Sequence, residues 1–401
     1  MAQRPLRIGF LTPEYPTEAY SGGIGSYVHQ VAHSLVQLGH SASVLLCVSS
    51  GEGVAWDGPI PIYRLALPEV ASRLPRPLGK RSGLIFARSL ASVAEKLSLD
   101  LLEVPEFGGI SAFLSLVKRP GLRVIVRLHI CSAICRSLDH NEPSSTTGRL
   151  RTAVQDWLER RAIETADSVT AYSSAIVHLT QRLLRLTRDD FHVVLNPVND
   201  LFFSRTTVEP VCSEAVVLLV ARLEWRKGPD LVIRALPAIV ERHPNVRFCL
   251  AGGDTKTGPG GTSMLAYLST LVPEQSRARV EFAGHLTQDQ LLKKYHQARV
   301  CVFPSRDGFG LVPAEAMACG KPIVVSDVMG SRDVITDGET GLVARGDDPA
   351  SLACAVDRLL SDTLLREKIG AAAQQFAREH FHGSVVAKSM VDVYRVVLSG
   401  T

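Results

Sequence analysis

An α/β protein built from two doubly wound parallel sheets is the fold class that this sequence predicts, on three observations. Continuous apolar runs of five or six residues alternate with helical stretches through the first half, and the same alternation restarts after a polar segment near the middle. The length of 401 residues exceeds what one core usually spans, so two units of roughly 200 residues are expected. Strands that are apolar throughout, separated by helices, belong to a parallel sheet covered on both faces.

The first unit opens with RIGFLT (7–12), a helix from about Ile24 to Leu38 closed by Gly39, and SVLLCV (43–48). PIYRL, a helix near 82–97, DLLEV (100–104), a helix near 110–117 and RVIVRL (123–128) follow. A longer helix over 149–166, SVTAY, a helix over 174–186 and FHVVL (191–195) complete it. NPVNDLFFSRTTVEPVCSE reads as a linker, with the boundary near 197–213. The second unit runs through AVVLLVA (215–221), a helix over 229–242, VRFCLAGG (246–253), a helix near 263–271 and VEFAG (280–284). A helix over 287–298, RVCVFP (299–304), a helix over 312–318, PIVVS (322–326) and GLVA (341–344) extend it, and three helices from about Pro349, Leu364 and Ser384 close the chain. The predicted domains are therefore 1–197 and 198–383.

Composition excludes several classes. With 46% apolar and 21% charged residues the chain is globular rather than disordered. A net charge of +4 leaves no footprint for nucleic acid. The eight cysteines are scattered and read as buried thiols; Cys131 and Cys135 lack the spacing and partners of a zinc or redox pair. No run approaches 18 apolar residues and the start is too short for a signal peptide, so a reducing, cytoplasmic setting is expected. Between Ile60 and Leu90 six basic residues (Arg64, Arg73, Arg76, Lys80, Arg81, Arg88) face one acid, Glu69. Over 73–88 they interleave with Leu74, Leu78, Leu84, Ile85 and Phe86, which suits peripheral contact with an anionic membrane or a phosphorylated acceptor; a solvated face is the plainer alternative.

Three segments carry chemistry. After the first strand, Gly22-Gly23-Ile24-Gly25 opens a helix, where free N–H groups favour an anion, although such glycines also serve ordinary turns. The second strand ends CVSS with no acid at its tip, which disfavours a dinucleotide-dependent dehydrogenase. His129 ends RVIVRLH, at the carboxyl edge where parallel sheets present their chemistry; a structural histidine is the alternative. In ARLEWRKG, Arg222 and Lys227 place two cations at a sheet edge, which suits a diphosphate unless they only keep a loop wet. In VCVFPSRDGFGLVPAEAMACGKPIVVSD, Asp307 precedes a loop with Gly308 and Gly310, and Glu315 lies on the first turn of the next helix. Glu315 there can accept sugar hydroxyls or simply complement the helix dipole. The residues alone thus describe a two-domain cleft for a sugar or nucleotide phosphate.

GGIGSYVHQVAHSLVQLGH, LNPV, VARLEWRKG, LAGG, FAGHL and FPSRDGFGLVPAEAMACGKPIVVSD, ending in GETGLV, occur in this order. Together they resemble the family-four retaining glycosyltransferases of the GT-B fold, also called glycosyl transferases group 1. The resemblance covers nearly the whole chain, strongly in the second half and more weakly between residues 50 and 190. It implies two Rossmann-like domains facing a central cleft, the first binding acceptor and the second nucleotide sugar, with residues 384–401 packing back on the first. It further implies transfer of a hexose-type sugar from a nucleoside diphosphate, UDP favoured over GDP, to an acceptor hydroxyl, with retained configuration and neither metal nor other cofactor; the chain has no DxD. By the same resemblance Arg222 and Lys227 bind the diphosphate, the amides of Phe309, Gly310 and Leu311 touch donor sugar and phosphate, and Glu315 holds the ribose. His285 and Leu286 flank the base, Gly22 and Gly23 close over the diphosphate, and His129 lies near the donor sugar. His129, Arg222, Lys227 and Asp307 are the expected catalytic set. Asp307 stands where the family carries the first Glu of an E-x7-E pattern that contacts donor hydroxyls, its carboxylate retracted by about 1.3 to 1.5 Å, and Asn199 stands where relatives carry Asp. A nucleotide-sugar epimerase or hydrolase of the same fold, or an idle nucleotide-sugar-binding scaffold, are the rival readings.

Overall fold

The computed structural model describes residues 4–18, 22–66, 79–139, 145–204, 214–328 and 330–400, with side chains of the helix at 79 described from Gly83 onward. Residues 73–82 of the basic stretch thus lie largely outside the described residues. Of its later apolar positions, Phe86 is buried and Ile85 exposed. Among the described residues no helix is long and apolar enough to cross a membrane.

The chain forms two compact units: Met1–Arg136 with Glu142–Pro197 and Gly383–Thr401, and Ser137–Asn141 with Val198–His382. The first unit runs β1 (Arg7–Thr12), α1 (Gly23–Gln37), β2 (Ser41–Val48), β3 (Gly53–Asp57), β4 (Ile60–Ala66), α2 (Gly79–Lys96), β5 (Leu101–Pro105), β6 (Arg123–Leu128) and α3 (Ser132–Leu138). It continues with α4 (Thr146–Glu164), β7 (Ser168–Ala171), α5 (Ser174–Leu184) and β8 (Phe191–Val193). The sheet order is β3-β4-β2-β1-β5-β6-β7-β8.

Three elements depart from the sequence reading, one of them α3 (Ser132–Leu138), a stretch to which the sequence reading gives no helix. β3 pairs antiparallel with β4, so the otherwise parallel sheet has a hairpin at its edge. Its exposed Val54 and Trp56 give it no continuous apolar run by which to find it. The helix expected near 110–117 is replaced by two 3₁₀ turns, Phe107–Gly109 and Leu114–Leu116. Gly108 and Gly109 take positive φ (75° and 60°), which interrupts a helix before it can propagate.

The second unit runs β9 (Val216–Val220), α6 (Pro229–Arg242), β10 (Arg247–Ala251), α7 (Met264–Leu271), β11 (Val280–Gly284), α8 (Gln288–Gln297), β12 (Ala298–Phe303) and α9 (Leu311–Ala318). β13 (Ile323–Ser326), β14 (Leu342–Ala344), α10 (Pro349–Ser361) and α11 (Thr363–His380) follow, and the last helix, α12 (Gly383–Ser399), belongs to the first unit. This sheet is parallel throughout, in the order β11-β10-β9-β12-β13-β14. The short segment 137–141, which the sequence assigns to the first domain, groups with the second because the Asp139 carboxylate accepts the Arg226 amide at 3.1 Å.

The first core joins one face of the sheet to two helices. Tyr27, Val28, Val31, Ala32 and Leu35 lie at helical spacing on α1 and are buried against Ile8, Phe10, Val44 and Ile62. Val386, Ala387, Met390 and Tyr394 of α12 join the same cluster, and the Tyr394 hydroxyl donates to Glu103 at 2.7 Å.

Each sheet has a switch point where the winding reverses: between β1 and β5 in the first, and between β9 and β12 in the second. Diverging loops at the carboxyl ends of such strands leave a crevice, which is where open α/β sheets bind ligands. In the second unit the two loops are locked by Gly228. It has φ +67°, and a Cβ placed on it would stand 2.1 Å from the Pro304 carbonyl oxygen. Gly228→Ala is expected to cost about 3 kcal/mol or more in a denaturant melt, combining left-handed strain with overpacking. Gly39→Ala, at φ +85° with nothing within 4 Å of the added Cβ, should cost only about 1 kcal/mol.

Candidate functional site

The loop after β9 leads into the 3₁₀ turn Trp225–Lys227, and the loop after β12 carries Ser305, Arg306 and Asp307. Backbone joins them directly: the Arg306 amide donates to the Arg226 carbonyl at 2.7 Å. Side chains add a buried ion cluster. The Asp307 carboxylate is 3% exposed; it accepts from Lys227 Nζ at 2.9 Å and from the Arg226 guanidinium and the Ser305 hydroxyl. Arg226, itself buried, also pairs with Glu224. Burial works against the Asp307 charge, but Lys227 and Arg226 outweigh it and hold the carboxyl below the usual aspartate range. A second cluster backs the first, with Arg306 reaching Asp230 at 3.1 Å and stacking 4.7 Å over the Trp225 ring.

The sequence-predicted residues sort as follows. Lys227 and Asp307 are brought together, but the Asp307 carboxylate faces the cations of its own unit, where contact with donor hydroxyls was expected. Its shorter side chain fits this: it is gripped by groups within its own two loops. Arg222 is 54% exposed in its side chain and pairs with Glu224 at 2.9 Å. Arg226, which sequence reasoning passed over, is the buried cation of the set.

Phe309, Gly310 and Leu311 lie where expected, at the start of α9. Gly308 has φ +99°, the turn that lets the loop double back. Phe309 is buried and stacks on Phe381 at 6.0 Å, and Gly310 occupies the cap of α9 with no side-chain partner for the helix amides. Glu315, one turn on, accepts a hydrogen bond from the buried Tyr295 hydroxyl at 3.2 Å. Burial, only partly offset by that bond, pushes its carboxyl up to about 8, although the residue retains partial exposure. Near pH 7 Glu315 therefore carries a proton and can both donate and accept. His285 is exposed and Leu286 partly exposed, just after β11 and Gly284.

In the first unit the α1 start is already met by a carboxylate. Glu14 Oε1 accepts the Gly25 amide at 3.0 Å, and the same oxygen would stand 3.0 Å from a Cβ on Gly22. Gly22 and Gly23 thus open the helix as predicted, but the anion at its end is an internal one. His129 follows β6, 9% exposed, with its amide donating to the buried Glu106 carboxyl at 2.9 Å and its ring edge-on to Tyr27 at 5.3 Å. Burial, then the positive Arg127, pushes the imidazole down to about 3. His129 is a neutral ring at working pH, fitted to hydrogen bonding rather than to proton uptake.

Comparison with known proteins bears directly on this geometry. A glycosyl transferase 4-like domain model matches residues 22–197, and a glycosyl transferases group 1 model matches residues 208–376. The chain belongs to the group 1 glycosyl transferases, with two parallel-sheet α/β domains of the GT-B class, and it is a glycosyltransferase. It is similar to an uncharacterized glycosyltransferase of Methanocaldococcus jannaschii, 29% identical over 98% of this chain and 99% of that one. Among solved structures it is similar to the sucrose-phosphate synthase of Thermosynechococcus elongatus, with a TM-score of 0.76 and 22% identity over 99% of this chain and 100% of that one. It is also similar to Anabaena HepE in complex with UDP-glucose, with a TM-score of 0.70 and 19% identity over 97% and 99% of the two chains.

Two substitutions test the site electrostatics. Asp307→Asn removes one of the carboxylates that pair with the buried Arg226, Glu224 remaining, and should destabilise the protein by about 1 to 3 kcal/mol at pH 7. Because the folded pKa of Asp307 is lowered, its contribution is present above the unfolded value near 4 and is lost as pH falls through the folded one, so the two proteins should converge in acid. Glu315 has the opposite sign: its folded pKa is raised, so its ionisation opposes folding increasingly from about pH 4.5 up to about 8. Glu315→Gln should therefore gain stability relative to the parent as pH rises from 5 to 8, read from thermal melts at each pH.

Proposed function

We propose that this glycosyltransferase moves a hexose from a nucleoside diphosphate donor, UDP being the favoured base, to an acceptor hydroxyl with retention of configuration and without a metal. The observation that carries the reading is Lys227 on the β9 loop, paired with Asp307 three residues before the uncapped start of α9 at the β9/β12 switch point, with Arg222 five residues earlier on the same β9 loop. Arg222 is held only by an exposed ion pair, which is cheap to exchange for a phosphate. Lys227 has three donors, two of which remain beyond Asp307. The amides at Gly310 and Leu311 complete an anion cradle in which charge developing on the departing diphosphate is stabilised. Glu315 suits the ribose, since a protonated carboxyl can give one hydrogen bond to a hydroxyl and accept another.

Catalysis on this reading is positioning plus electrostatics. The acceptor attacks on the face that the diphosphate is leaving, and the diphosphate itself takes the proton. His129, in the first unit, is a neutral ring that can donate or accept a hydrogen bond without changing its charge. The likeness of fold to a protein solved with UDP-glucose supports UDP as the first base to test.

A thermal-shift panel of UDP-, GDP-, ADP- and dTDP-sugars identifies the donor, because a ligand at 100 times its dissociation constant adds about 2.7 kcal/mol of stability. UDP-sugars should give the largest shift. With the donor in hand, Lys227→Ala and Glu315→Ala should each lower turnover by about 10² or more with the fold retained by circular dichroism; near-normal rates in both would remove the assignment. Epimerised or hydrolysed sugar formed from donor alone, at the rate of the full reaction, would favour the epimerase or hydrolase reading.

A further inference from the structure

α1 carries a histidine pair that the sequence reading set aside. His29 and His33 stand four residues apart, which on a helix puts them on one face. Their rings are 4.5 Å apart between centroids. Both aim Nε2 at one atom, Asp57 Oδ2 at the end of the edge strand β3, His33 at 2.9 Å and His29 at 3.2 Å. The Tyr15 hydroxyl donates to the same oxygen at 2.8 Å. The ligand atoms of His29, His33 and Asp57 all lie within 4.8 Å of one another.

We propose that His29, His33 and Asp57 form a binding site for a divalent transition-metal ion of the zinc class, which clasps α1 to the β3–β4 hairpin. The donor set suits that ion: two imidazoles and one carboxylate with open positions are a common zinc arrangement. The spacing suits it as well. Nitrogen and oxygen ligands at about 2.1 Å in a tetrahedron lie about 3.4 Å apart, so the observed 2.9 and 3.2 Å need to open by only a few tenths of an ångström. Tyr15 and His33 are hydrogen-bonded to this oxygen, whereas His29 stands 3.2 Å from it without a hydrogen bond of its own to it, so its Nε2 is left for another partner.

The surroundings are those of a ligand site. The Tyr15 hydroxyl donates to Asp57 at 2.8 Å and orients the carboxylate. The Gln30 amide nitrogen lies 3.0 Å from His29 Nδ1; turning the amide over puts its oxygen there to accept the Nδ1 proton of a ring bound through Nε2. The side chains of His29 and His33 are 25% and 31% exposed, so an ion has access. None of these residues belongs to the donor-binding loops of the second unit.

The test is isothermal titration of zinc chloride into the EDTA-treated, dialysed full-length protein, free of any histidine tag. One ion per chain is expected, with affinity weakened at least tenfold in both His33→Gln and Asp57→Asn. Cys354, an exposed thiol, is the main competing ligand among the described residues, and Cys354→Ser should leave binding unchanged. Should a variant fail to fold, cobalt(II) bound to the parent protein settles the ligands: a thiolate-to-cobalt charge-transfer band would overturn the proposal, and its absence at full occupancy would support it. Binding well below one equivalent, binding that survives loss of either histidine, or binding lost in Cys354→Ser would each overturn it.

Discussion

The grip of Lys227 and Arg226 on the Asp307 carboxylate is the interaction on which the switch-point end of the second unit depends. It ties the loop after β9 to the loop after β12, and those are the two loops that diverge at the switch point of the sheet. A parallel sheet supplies the crevice by topology alone, but topology leaves the loops free to collapse or splay. A buried carboxylate between two cations removes that freedom, since breaking the pair strands a charge in a poor solvent. Gly228 works at the same place through sterics, letting the first loop rest on the Pro304 carbonyl.

The family commonly carries Glu where this chain has Asp307, and the shorter side chain changes what the position does. Its carboxylate is used up by Lys227, Arg226 and Ser305, all on the same pair of loops. Position 307 in this chain holds Lys227 and Arg226 in place.

Much of this was legible in sequence, and the omissions have physical causes. Apolar strand runs gave both parallel sheets, because burial on two faces leaves an unbroken pattern. The edge strand β3 escaped because an exposed edge has no such pattern. Lys227 and Glu315 were found because loop ends beside glycines are distinctive, yet sequence cannot say which of adjacent cations turns inward. Arg226 and Lys227 sit on a single 3₁₀ turn, whose tight winding sends one into the interior and the other toward the surface. The Glu14 carboxylate at the α1 start lies eleven residues before Gly25, and Asp57 lies 24 residues after His33, so neither partnership shows in a local motif. The His29–His33 spacing was itself readable; what was absent was the third ligand.

A structure of the full chain crystallised with UDP tests the central claim most directly. The account predicts the diphosphate within hydrogen-bonding distance of Lys227 Nζ, the Arg222 guanidinium and the amides at the start of α9, with the Lys227–Asp307 pair intact and the ribose at Glu315. A diphosphate bound away from the β9 and β12 loops, or Asp307 released from its cations to contact the ligand, would contradict it.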